Sequence, residues 1–171
     1  MMRSKSRIAA ATIAAALGAL LCAGCAPKMP ANVEAPAPKA AEAVKQASAC
    51  EMVTQSEMSA ILGVAVAAKD TTHSAGETAC TYSAPSQFPT VQMEVDWGDG
   101  EAAMGAFAML NRSEPGIGSP YDGVGDQAVA VGPTLMIRTG EDLVKLVFSG
   151  VDDAPAKAKK IFQTAKPRLS P

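Results

Sequence analysis

The chain has 171 residues, 48% of them hydrophobic, with a formal charge of −2 at pH 7. That leaves room for one domain once a leader is set aside, and the balance excludes a strongly basic nucleic-acid-binding protein. Four Phe, two Tyr and one Trp are the only large aromatics, so the core must be filled mainly by aliphatic side chains.

Arg3, Lys5 and Arg7 precede an uncharged apolar run from Ile8 to Leu21. These are the n-region and h-region of a secretory signal, and the run falls short of the roughly 20 residues of a membrane span. The stretch Leu20-Leu21-Cys22-Ala23-Gly24-Cys25 resembles the lipobox of bacterial lipoproteins, with Cys22 where that pattern usually has Leu. The resemblance implies that residues 1–24 are a signal peptide and that Cys25 is lipidated as the mature N-terminus. Cleavage would remove Arg3, Lys5 and Arg7 and leave a mature charge of −5.

Residues 25–48 then read as a tether, with Pro27, Pro30, Pro36 and Pro38 among Ala, Lys and Glu. Such a composition buries too little to offset the entropy of ordering. At ~3.1 Å per residue its reach is at most roughly 70 Å. The stretch 40–46 has helix-forming residues but no apolar face.

The folded domain is expected over 49–171. Removing Cys22 with the signal and acylating Cys25 leaves Cys50 and Cys80, an even pair that reads as one disulfide in an oxidising compartment. Thr54-Gln55-Ser56-Glu57 is a capping box that opens a short helix from Gln55 to Leu62, with Val53 and Met58 placed as a staple and Gly63 as the stop. Strands are expected at 64–69, 79–83 and 90–97. The last alternates Val91, Met93, Val95 and Trp97 with Gln92, Glu94 and Asp96, which gives one wet face and an antiparallel sheet.

Asp99 is placed to cap a helix from Glu101 to Leu110, with Met104, Phe107, Ala108 and Leu110 inward. A Gly/Pro/Ser loop follows from Ser113 to Tyr121. Three more strands are expected at 127–131, 134–139 and 143–149, joined by turns at Gly132-Pro133 and Gly140-Glu141-Asp142. Asp152 or Asp153 caps a final helix with Pro155 in its first turn, in which Ala154, Ala158, Ile161, Phe162 and Ala165 fall at helical spacing and which ends at Pro167. The fold is therefore expected to be α+β: a twisted antiparallel sheet of five or six strands with helices on one face, in the order helix, three strands, helix, three strands, helix.

With these landmarks the domain resembles a family of small uncharacterised bacterial lipoproteins, grouped as a domain of unknown function. The resemblance lies in Cys50 ahead of a capped helix ending Leu62-Gly63, in Cys80-Thr81-Tyr82, and in Gly123-Val124-Gly125-Asp126-Gln127-Ala128. It implies a fold and an envelope location, and no chemistry.

Charge is uneven along the chain. From Asp70 to Asp142 there are eleven acidic residues against Arg112 and Arg138, whereas Lys145, Lys157, Lys159, Lys160, Lys166 and Arg168 make the C-terminal part basic. The acidic middle argues against nucleic acid as a partner. The basic helix reads as a solvated face ahead of a surface for anionic lipid or an acidic protein.

His73 is the only histidine and falls in a turn, with no Gly-x-Ser-x-Gly elbow anywhere, so no catalytic residue is assigned. The carboxylates Glu94, Asp96, Asp99 and Glu101 lack EF-hand spacing, so no metal and no cofactor are expected. Gly116, Gly118, Tyr121, Gly123, Gly125 and Asp126 do not fit a phosphate loop, because no helix follows Gly125. They form instead a candidate recognition loop shaped by turns. The expected function is a membrane-tethered, non-catalytic binding module for an envelope protein, peptide or wall component, in the outer membrane facing the periplasm where there are two membranes. The other readings are a carrier of an apolar ligand and an enzyme with an unrecognised site.

Overall fold

The structure, a computed structural model, describes residues 47–71 and 76–169. The expected signal peptide, the expected lipidation site Cys25, most of the expected tether and His73 lie outside the described residues.

Two short helices open the domain, α1 (Ala49–Met52) and α2 (Gln55–Leu62). Each starts with a capping box, Ser48/Glu51 for the first and Thr54/Glu57 for the second. The first box also follows the Ser-x-x-Glu pattern, and the sequence reading missed it. Val53 and Met58, the expected staple, are both fully buried, and Gly63 ends α2 in the left-handed region.

Seven strands follow: β1 (Ala67–Asp70), β2 (Glu77–Ser83), β3 (Thr90–Asp96), β4 (Ser119–Pro120), β5 (Gln127–Val131), β6 (Thr134–Thr139) and β7 (Asp142–Ser149). They form one antiparallel sheet in the order β1-β2-β3-β7-β6-β5-β4. The fold is α+β, as expected. The strand count of seven, rather than five or six, comes from β4, two residues in the loop that pair with Ala130 and Val129. The first strand begins at Ala67 rather than Val64, because Ser59 Oγ, not a strand, receives the Val66 amide.

One face of the sheet carries the main core. Val91, Met93 and Val95 of β3, Val144 and Leu146 of β7, and Leu135 and Ile137 of β6 meet α1, α2 and the last helix, α4 (Ala154–Leu169). On α4 the buried set is Ala158, Ile161, Phe162, Ala165 and Leu169. Pro167 does not end this helix. Leu169 is buried beyond it, and Arg168 donates to the Met52 carbonyl at 2.7 Å, so the last turn is held despite the missing amide.

Helix α3 (Gly100–Ser113) departs from the expectation that the helices share one face. Its Met104 packs with Val129 and Leu143, which alternate with the first-face residues of their strands. The reason is topological: α3 carries the chain from central β3 to edge β4, and the first face is already filled. Its roll about its own axis is set by Gly100, where a Cβ would lie 2.5 Å from the Asp142 carbonyl oxygen. Ala108 and Leu110 are therefore exposed, not inward, with Leu110 at 44%. Asp99 makes no side-chain cap, and the Gly100 amide is received by Glu141 O at 2.7 Å.

Each sheet edge has one outward position that offers no free amide. On β1 the outward Ala68 amide is taken by Gln55 Oε1 at 3.4 Å. On β4 the outward position is Pro120, which has no amide to offer.

Cys50 and Cys80 form a disulfide that joins α1 to β2 across a sequence separation of 30. A loop of that size corresponds to roughly 3.5 to 4 kcal/mol in the chain-entropy account. Cys50→Ser and Cys80→Ser should each lower the melting temperature by roughly 10 to 20 °C, with the double variant no worse than either. Calorimetry on the three variants checks this; additive losses would mean that the two residues act separately.

A candidate binding cleft at the head of the last helix

α4 spans about 24 Å and shields Val144 and Leu146, while Phe148 at the end of β7 is only partly buried and leaves a gap beside the helix's first turn. The gap is an open cleft of about 270 Å³. Leu135 and Ala130 form its floor, Pro133 and Val151 its walls, and Pro155 and Ala158 its helical side.

Tyr121 closes one end. Its hydroxyl donates to the Pro155 carbonyl at 2.6 Å, which ties the loop after β4 to the first turn of α4. Burial raises the Tyr121 pKa and the charge of Asp153 raises it further, so the phenol stays a protonated donor.

Phe88 stands beside the cleft, 62% exposed, against Gly150. The turn that presents it is fixed internally. Ser86 Oγ donates to the Phe88 carbonyl at 2.7 Å, and Thr90 Oγ1 donates to the Gln87 carbonyl. The sequence reading missed Phe88 as a surface residue. The signal was present, since a large aromatic between Pro85 and Pro89 has no strand or helix face to bury it.

Of the expected recognition loop, only Tyr121 reaches the cleft. Gly118 lies under the Phe107 ring on the other side of the sheet, and Gly116 meets nothing nearby. Gly123 sits beside the Lys159 ammonium. At Gly125, φ is +58° and a Cβ would stand 2.4 Å from the Arg138 carbonyl oxygen, so glycine is needed to start β5. Asp126 accepts from the Gly140 amide at 2.7 Å and so joins that start to the β6–β7 turn. These residues build the sheet and do not converge on one ligand position.

The carboxylate cluster also resolves differently from its sequence spacing. Glu94 and Asp96 gather with Glu77, not with Asp99 and Glu101, because the β2–β3 register sets Glu77 opposite Asp96. Among the described residues these three are the carboxylates close enough to share an ion. The Lys145 ammonium already occupies that position, bonded to Glu94 and 2.7 Å from Asp96. Burial alone would lower the Lys145 pKa, but the hydrogen bonds to Asp96 and Glu94 outweigh it and raise the value. The cluster is a cross-strand ion-pair network on the face away from α4.

The far end of α4 is anchored where the domain begins. Arg168 meets Glu57 through two hydrogen bonds of 2.8 and 2.7 Å, while Glu57 is still capping α2. Comparison of the chain with protein-family models, with curated proteins and with solved structures finds no match. Among the described residues, no helix is long and apolar enough to cross a membrane.

The Arg168 hydrogen bond, helped by the Thr54 amide, lowers the Glu57 pKa from 4.5 to about 2. A folded value below the ordinary one means stability that is complete above pH 4.5 and lost as pH falls through about 2. Thermal melts from pH 7 down to pH ~2 should therefore fall more steeply for the wild type than for Glu57→Gln, which starts lower. Parallel pH profiles would contradict this assignment.

Proposed function

We propose that this domain is a non-catalytic binding module, held at the cell envelope by a lipid on Cys25, and that the cleft takes an apolar anchor residue of an envelope partner. The observation that carries the reading is the apolar cleft itself, with Phe88, 62% exposed, packed beside it against Gly150. Anchor pockets of this kind concentrate binding energy in interfaces. The lipobox resemblance and the tether composition support the location.

A carrier of an apolar ligand would use the same cleft. Small-molecule sites generally span about 300–1,000 Å³ and enclose the ligand. A cleft of about 270 Å³ that is open to solvent fits one or two side chains better. Its phenol is engaged with the Pro155 carbonyl and lies there as a structural strut.

The test uses a photo-crosslinking residue placed at Phe88 in cells that make the protein, with the same residue at Gln92, on the other sheet face, as control. A defined partner should crosslink from position 88 and not from 92, and Ala130→Phe, which fills the floor, should abolish it. Cys25→Ala should release the protein from the membrane fraction and remove the acyl mass. No crosslink at 88, or one indifferent to Ala130→Phe, would overturn the cleft as the site. Normal fractionation of Cys25→Ala would overturn the anchor.

A further inference from the structure

The face of α4 that leaves the cleft is strongly one-signed. Lys159, Lys160 and Lys166 are exposed and Lys157 is half-buried, and the helix contains no Asp or Glu. None of the four lysines pairs with a described carboxylate, whereas Arg168 on the same helix is committed to Glu57. Pro155 at the cleft shares a helical flank with Lys159 and Lys166, at i, i+4 and i+11. The first three lysines lie within two turns of the cleft.

We infer that the partner segment entering the cleft is an acidic peptide, with one bulky apolar residue in the cleft and neighbouring carboxylates along α4. The inference rests on the cleft being the binding site. Charge complementarity selects the occupant. The chain's own tether carries Lys28, Lys39 and Lys45 against Glu34 and Glu42, so it does not complement a lysine face. A flat anionic bilayer does not fit a concave cleft. Asp122, Asp152 and Asp153 are exposed around the first turn of α4, where Asp153 O receives the Lys157 amide at 3.1 Å and Asp153 acts on Tyr121. They repel carboxylates at that turn, so the acidic part of the segment is directed along the helix toward Lys160 and Lys166.

The mode is recognition by side chains at the cleft and along α4. The contact is an anchor plus long-range attraction, which makes it sensitive to salt: exposed pairs are screened beyond about 8 Å at physiological ionic strength.

Panning short random peptides displayed on phage against the full chain in mild detergent tests this at low salt. Enriched peptides should share one bulky apolar residue next to clustered Asp and Glu. A synthetic peptide from that set should bind about tenfold more weakly to the Lys157/Lys159/Lys160→Gln variant. It should lose binding to Ala130→Phe, with circular dichroism confirming that both variants fold. Enrichment of apolar peptides without acidic residues, or affinity unchanged by the lysine variant, would overturn the inference and leave the cleft standing. Peptides that bind Ala130→Phe equally well would overturn both. Binding to phosphatidylglycerol vesicles, lost in the lysine variant and without any peptide enriched, would assign the face to lipid instead.

Discussion

The hydroxyl of Tyr82 is the point at which the two halves of the first-face core are tied. Tyr82 is fully buried on β2, and its O–H donates to the Val53 carbonyl, with the Ala49 carbonyl 3.3 Å away. These carbonyls belong to the elbow between α1 and α2, where a four-residue helix leaves its acceptors unmatched. Burial pushes the phenol well above its usual pKa, and the negative charge of Glu57 adds to the effect. Beside it, the Cys50–Cys80 bond and the Ala49 amide, bonded to Thr78 Oγ1 at 2.8 Å, hold the same elbow to the same strand.

Order passes from that elbow to the cleft. The fixed elbow presents Glu57 and the Met52 carbonyl to Arg168, which secures the C-terminal end of α4. The buried stripe of α4 then lays the helix on the sheet, and its N-terminal turn meets Tyr121. The cleft thus forms between the first turn of that helix and the ends of β6 and β7, and the helix is held at its opposite end.

Much of this was legible in the sequence. The capping box at Thr54, the alternation of Val91 to Trp97, the paired cysteines and the buried set of α4 all carry a local pattern that tertiary structure preserved. What failed was what no local pattern encodes. Pro167 reads as a stop, yet Arg168 and Leu169 gain enough from packing and hydrogen bonds to keep the turn. The roll of α3 depends on the close approach of Gly100 to Asp142, which is far off in sequence. Helix placement on two faces follows from strand order, and strand order is not written in any single segment.

The site was legible only in part. Tyr121 was singled out for its place among glycines, but the glycines serve the backbone around Asp126 and the β5 start. The cleft is assembled from segments near positions 121, 133, 150 and 155, with Phe88 beside it, brought together by pairing registers. The lysines of α4 were visible as charge, and only the fold reveals that they begin at an apolar opening.

The contacts of Tyr82, Cys50 and Arg168 make the elbow, the disulfide and the far end of α4 one cooperative unit. Hydrogen exchange followed by mass spectrometry, on oxidised and gently reduced protein, tests it most directly. Peptides covering 47–63 and the last turn of α4 should gain exchange together on reduction, while β3, β7 and β6 stay protected. Faster exchange confined to 47–63, with the end of α4 unchanged, would contradict it.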